Sequence, residues 1–334
     1  MSIIKDPEYL PVFHHIAKNA GTYVLSWAQM LCRKYHLMRG DNQQKCWTAN
    51  RIRRFIVKLK DQKELTIFYY TPTDLTGSND GILEFRDCFN KNGEIDKKKL
   101  VNAQNEFISC RFNQPSDLDP FTNIIDENSL LNLIRLGEVE VFSISINPYA
   151  PGWSSARLYI QKILDESKRK HALHFTVLRD PYKRSQSLFH YLNGNESKHE
   201  PTHGSIQAKN FEDYIQSDEV EDSWFLRNLL DMSDDQVIEP YHLTLADEWL
   251  RHFRISDTSK VDDLINNVFH GAYGIQQSDI ESDVVKWHVD KNSTPNKLKI
   301  KFKDLGPTIQ QKFLDRTYWD RKLWERYCKN VDIS

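Results

Sequence analysis

The sequence predicts an α/β protein: a central parallel sheet flanked by helices, followed by a helix-rich C-terminal third. Three observations carry this. A strand-like run feeds a small-residue loop and an amphipathic helix close to the N-terminus, the same strand–loop–helix order recurs in mid-chain, and an alternating strand followed by a helix lies between them. Strands separated by helical stretches build parallel sheets with right-handed crossovers.

The first unit is Val12–Ile16, then Ala17-Lys18-Asn19-Ala20-Gly21-Thr22, then a segment in which Val24, Leu25, Trp27, Ala28 and Leu31 recur at helical spacing. From Arg39 to about Asn128 the chain is polar. It holds one strand candidate at Leu65–Tyr70 and turn chemistry at Thr71-Pro72, Gly77–Gly81 and Asn92-Gly93, so 39–128 reads as an insertion or peripheral subregion of a single domain spanning 1–334. Glu138–Ile146 alternates, with Val139, Val141, Ser143 and Ser145 on one side and Glu140, Phe142, Ile144 and Ile146 on the other, before Asn147-Pro148 ends it. A helix is expected over Ser154–Lys168, and His174–Leu178 is the apolar kind of strand buried in a parallel sheet. Asp180 is placed to cap a second helix, Pro181 suits its first position, and Asn193-Gly194 stops it. Helical patterns then recur at Phe211–Gln216, Trp224–Leu230, Leu243–Phe253, Val261–Phe269 and Thr308–Arg326.

Composition narrows the function classes. The chain of 334 residues carries 45 Lys plus Arg against 47 Asp plus Glu, a net charge of −2 that suggests no nucleic-acid partner. A hydrophobic fraction of 39% supports a core, and no apolar run approaches the roughly 20 residues of a membrane span. Met1–Leu10 carries Lys5, Asp6, Pro7 and Glu8 where a signal peptide needs an apolar stretch, so a cytoplasmic protein is expected. Five cysteines without a C-x-x-C pair fit reduced thiols better than disulfides or a zinc site.

The two strand-to-helix junctions carry the chemistry. A loop entering a helix exposes backbone N–H groups without intrahelical partners, and the helix dipole adds partial positive charge there. In the first junction Ala20 and Gly21 let an anion approach the backbone, Lys18 supplies a mobile charge and Thr22 a hydroxyl. Alone, Lys18 fits a solvated surface charge as well, and no Walker A motif is present. In the second, Val177-Leu178-Arg179-Asp180-Pro181-Tyr182-Lys183-Arg184-Ser185-Gln186-Ser187, Arg179 suits a bidentate grip on phosphate and Ser187 a further hydroxyl donor, with a structural ion pair the competing role for Arg179 and Arg184.

Taken together, the strand–K-x-x-G-T–helix element and the V-L-R-D-P-x-x-R-x-x-S element resemble the 5′-phosphosulfate loop and the 3′-phosphate element of sulfotransferases that use 3′-phosphoadenosine 5′-phosphosulfate (PAPS). His288–Thr294, followed by a tail containing Asp320–Trp324, is similar to the cofactor-covering loop and terminal helix of the carbohydrate branch, which includes the heparan sulfate 2-O-sulfotransferases. The resemblance implies a P-loop-like sheet and transfer of a sulfuryl group from PAPS to a hydroxyl or amine of a carbohydrate or small-molecule acceptor, with no metal required. Lys18 would stabilise the leaving 5′-phosphate, and the N–H groups of Asn19, Ala20, Gly21, Thr22 and Tyr23 would hold it. Arg179 and Ser187 would grip the 3′-phosphate, and Lys291, Asn292 and Ser293 would close over the nucleotide. Ala17, Asn19 and Tyr23 stand where the family loop carries proline and hydroxyl residues. The family's histidine base has no counterpart in Val141–Asn147, so His15 is the first choice for the base, with His14, His190, His199, His203 and Glu196 open. An ATP-dependent small-molecule kinase with a degenerate phosphate loop and a non-catalytic nucleotide-binding module are the competing classes.

Overall fold

The computed structural model describes residues 8–39, 53–59, 64–70, 122–137, 139–147, 153–193, 208–218, 220, 222–279 and 300–329. Seven strands form one sheet: β1 (Tyr9–His14), β2 (Arg53–Lys58), β3 (Glu64–Tyr70), β4 (Thr122–Ile125), β5 (Glu140–Ile146), β6 (His171–Leu178) and β7 (Arg254–Asp257), in the order β4-β2-β3-β5-β1-β6-β7. Only β3 runs against the others. The stretch read as insertion or periphery therefore supplies β2, β3 and β4 to one edge of the same sheet.

β1 is interior to the sheet, between β5 and β6, and Leu10 to His14 are buried, as a parallel strand between helical layers must be. Pro11 is tolerated there: β5 pairs with β1 only from Val12 onward, so the missing N–H falls before that ladder begins. The chain leaves β5, passes through α3 (Trp153–Ser167) and returns as β6 on the far side of β1. The carboxyl ends of β1 and β6 are thereby neighbours, in register from Tyr9↔His171 to His14↔Thr176.

Helix α1 (Gly21–Arg39) and α8 (Val261–Tyr273) cover one face through Val24, Trp27, Leu31, Leu264, Val268 and Phe269. The opposite face is covered by α2 (Glu127–Arg135), α3, α6 (Trp224–Leu229), α7 (Pro240–Leu250) and α10 (Tyr318–Trp324), with Leu130, Ile160, Leu226, Leu250 and Leu323 at the contact. Helix α4 (Pro181–Asn193) follows β6 and packs Tyr182 and Phe189 against α5 (Phe211–Gln216) and α9 (Pro307–Arg316) in a third cluster. Among the described residues no helix is long and apolar enough to cross a membrane.

The alternation expected for β5 is corrected by a bulge. Phe68 pairs with Ser143 but Tyr69 with Val141, so Phe142 is an extra residue, and extra residues flip the phase of the side chains. Val139, Val141, Ile144 and Ile146 consequently share one core cluster while Phe142 enters the other, where Tyr273 donates its hydroxyl to the Phe142 carbonyl.

Candidate functional site

Between β1 and α1 the chain makes a compact loop in which Lys18 (φ 64°) and Ala20 (φ 60°) both take the left-handed conformation. A side chain there costs about 1 kcal/mol or more per residue, so the surroundings must enforce it. The second junction does this. Asn19, fully buried, donates its Nδ2 to the Val177 carbonyl at 3.0 Å, Arg179 Nη1 donates to the Lys18 carbonyl at 3.0 Å, and Arg184 Nε donates to the Ala17 carbonyl at 3.1 Å. Within the loop, Asn19 N donates to Ile16 O at 3.1 Å. The loop's carbonyls are thus turned back into the protein. Helical bonding starts only with Val24 N to Ala20 O, which leaves the N–H groups of Gly21, Thr22 and Tyr23 ahead of the ladder at the positive end of the helix dipole.

Gly21 has a different reason from the one its motif suggests. An added Cβ would stand 1.7 Å from His15 Nε2, so the bare Cα is where the imidazole fits. The ring lies parallel to Phe13, centroids 5.6 Å apart. Burial, with Lys18 adding to it, pushes the His15 pKa down to about 4, and its Nδ1 is buried without a hydrogen-bond partner. The imidazole thus lies directly beneath the loop, against the bare Cα of Gly21. His14 points to the other face, as neighbours on a strand do, where its Nε2 meets His174 Nδ1 at 2.8 Å and Phe253 packs on both rings.

The second junction folds as its sequence indicates. Asp180 Oδ1 accepts from Lys183 N at 3.0 Å, Pro181 opens α4, and the helix ends at Asn193. Among the described residues no carboxylate stands within ion-pair distance of Arg179; it donates to Lys18 O, and its Nε is buried without a hydrogen-bond partner. Burial lowers its pKa from the ordinary arginine value, against the pull of Asp257 and Asp180, which still leaves the guanidinium charged at neutral pH. Arg184 is buried and lies over the Trp224 ring at 4.6 Å, a structural clamp that holds a carbonyl and an indole. Ser187 is half-buried on α4. One turn further on the same helix face, the Tyr191 ring receives Lys18 Nζ at 3.8 Å from its centroid.

Lys18, the N–H groups of Gly21 to Tyr23 and Arg179 therefore gather at the carboxyl ends of β1 and β6, the position where open α/β sheets bind ligands, and Ser187 follows on the second turn of α4. Thr22 is exposed on the first turn of α1. The Tyr23 side chain leaves the site: its hydroxyl donates to Asp262 on α8, which also accepts from Gln277 at 2.9 Å, and burial followed by that bond pushes its pKa up to about 12. Only its backbone N–H faces the loop mouth. Lys291, Asn292 and Ser293, like Glu196, His199 and His203, lie outside the described residues.

Two residues escaped the sequence reading. Tyr191 was legible only as Ser187 plus four. Asp257 ends β7 beside Leu178, accepting from Trp324 Nε1 at 2.8 Å and Ser259 N at 2.9 Å. Burial raises its pKa, but these bonds and Lys183 outweigh that and hold the carboxyl below its ordinary value. Among the described residues no three His, Cys, Asp or Glu side chains stand close enough to hold a metal ion. No family model matches the chain, and neither does any curated protein or solved structure.

Proposed function

We propose that this protein is a sulfotransferase that takes a sulfuryl group from PAPS and passes it to a hydroxyl or amine of a carbohydrate or small-molecule acceptor, in a cytoplasmic setting. The observation that supports this best is the bond from Arg179 Nη1 to the Lys18 carbonyl. It joins two anion-binding elements 161 residues apart in sequence, one suited to each charged end of a nucleotide bisphosphate. A buried guanidinium N–H without an acceptor, beside helix N–H groups ahead of their ladder, fits a bound oxyanion.

PAPS supplies an activated sulfuryl group whose transfer leaves a 5′-phosphate. In this reading the first junction is P-loop-like: Gly21, Thr22 and Tyr23 N–H groups bind the 5′ end, and Lys18 brings a full positive charge to the place where negative charge grows. Arg179 and Ser187 take the 3′-phosphate, the group that separates this donor from ATP. Positioning accounts for much of the rate, because a loop locked by Asn19, Arg179 and Arg184 needs little reorganisation. His15 keeps the loop in place from below, and the proton of the acceptor passes to another group.

A calorimetric titration with 3′,5′-ADP and with ADP plus Mg²⁺ tests the donor class: preference for the bisphosphate without Mg²⁺ is expected, and equal or reversed preference removes the reading in favour of a kinase. The weak basicity of His15 favours a second reading, a nucleotide-binding module without catalysis. Transfer of radiolabelled sulfate from PAPS across an acceptor panel, with Lys18→Ala as control, separates the two.

A further inference from the structure

Two of the contacts that hold Lys18 are defined. Its backbone is fixed by a left-handed φ and by Arg179 on its carbonyl, and its ammonium lies over the Tyr191 ring, 3.8 Å from the centroid. An aromatic face attracts a cation through its quadrupole, so this is a defined resting place for the ammonium. We propose that Tyr191 is a positioning residue: its ring face holds the Lys18 ammonium against α4, and an oxyanion that takes the ammonium has to draw it off the ring. This rests on the donor-binding reading above and adds to it the residue that sets how readily the lysine is released.

An ammonium that moves off the ring to meet an oxyanion gives up the cation–π contact, and to that extent the ring competes with the ligand. A site whose competent state is only part of the population binds with proportionally reduced apparent affinity. Taking the ring away should therefore tighten anion binding, and keeping the ring while deleting its hydroxyl should not.

The experiment uses the full chain with its lysines reductively methylated with ¹³C, the Lys18 signal being assigned by its disappearance in Lys18→Arg. Ring current should place the Lys18 methyl signal upfield in the free protein and in Tyr191→Phe, return it to an ordinary position in Tyr191→Leu, and release it when 3′,5′-ADP is added to the wild type. Calorimetry on unmethylated protein should find the bisphosphate bound about two- to five-fold more tightly by Tyr191→Leu and unchanged in Tyr191→Phe. A Lys18 signal that ignores Tyr191→Leu, or weaker binding by a Tyr191→Leu protein that is folded by circular dichroism, overturns the proposal while leaving the donor reading intact. A bisphosphate that binds no variant, with the upfield signal present, overturns the donor reading and with it the competition.

Discussion

The imidazole of His15 occupies the place a side chain on Gly21 would need, with Nε2 only 1.7 Å from an ideal Cβ. Gly21→Ala must displace the imidazole, which cannot move sideways without losing Phe13, and overpacking of this kind costs about 1–3 kcal/mol. His15→Ala on the same background makes room for the methyl. The double variant should therefore be more stable than additive losses predict, by at least about 1 kcal/mol in a denaturant-melt cycle. Strict additivity would show that the two residues do not press on each other.

This contact also marks how much of the site was legible in the sequence. The strand–loop–helix units were readable because small residues, a capping aspartate and a following proline are local signals, and α4 begins and ends where those signals lie. The left-handed Lys18 and Ala20 were not, since nothing local demands that conformation of a lysine or an alanine; side chains from the second junction impose it. β2 and β7, at Arg53–Lys58 and Arg254–Asp257, went unread because short strands with charged residues lack the apolar run of central ones. The single extra residue Phe142 reversed a face assignment that simple alternation had made.

Arg179 serves the loop and, in the proposed function, the ligand. Arg179→Ala removes a charge-assisted bond to the Lys18 carbonyl, worth about 1.5–3 kcal/mol, and any grip on a phosphate. Binding of 3′,5′-ADP measured by calorimetry should weaken by about 10- to 100-fold. Arg179→Lys keeps the charge but loses the planar fork, and should recover only part of the affinity. Undiminished binding by the alanine variant removes Arg179 from the ligand site.

Two histidines make stability depend on pH. Burial lowers both His15 and His174 to about 4, Lys18 adding to the shift in the first and Arg157 and His252 in the second. Between about pH 4 and 6.5 the unfolded chain binds protons that the native state refuses, so stability rises with pH through this window. Their contribution is complete above about 6.5 and is lost as pH falls toward 4, with an upper limit of roughly 3 kcal/mol for each. The melting temperature should drop between pH 7 and pH 5, and less steeply in His174→Phe, which keeps a ring against Phe253. An identical drop in that variant excludes His174 as a source.

Asp320 on α10 fastens a helix it does not belong to. Its Oδ2 accepts from Phe225 N and its Oδ1 from Leu226 N, both at 2.9 Å, so one carboxylate satisfies two orphan donors in the first turn of α6. The cap residue of that helix, Ser223, sits in a left-handed conformation and gives its hydroxyl to the Arg316 carbonyl instead. Asp320→Ala leaves two buried N–H groups unpaired and should cost about 2–3 kcal/mol in urea denaturation, above an ordinary cap loss. Asp320→Asn retains one acceptor and should lose about half as much.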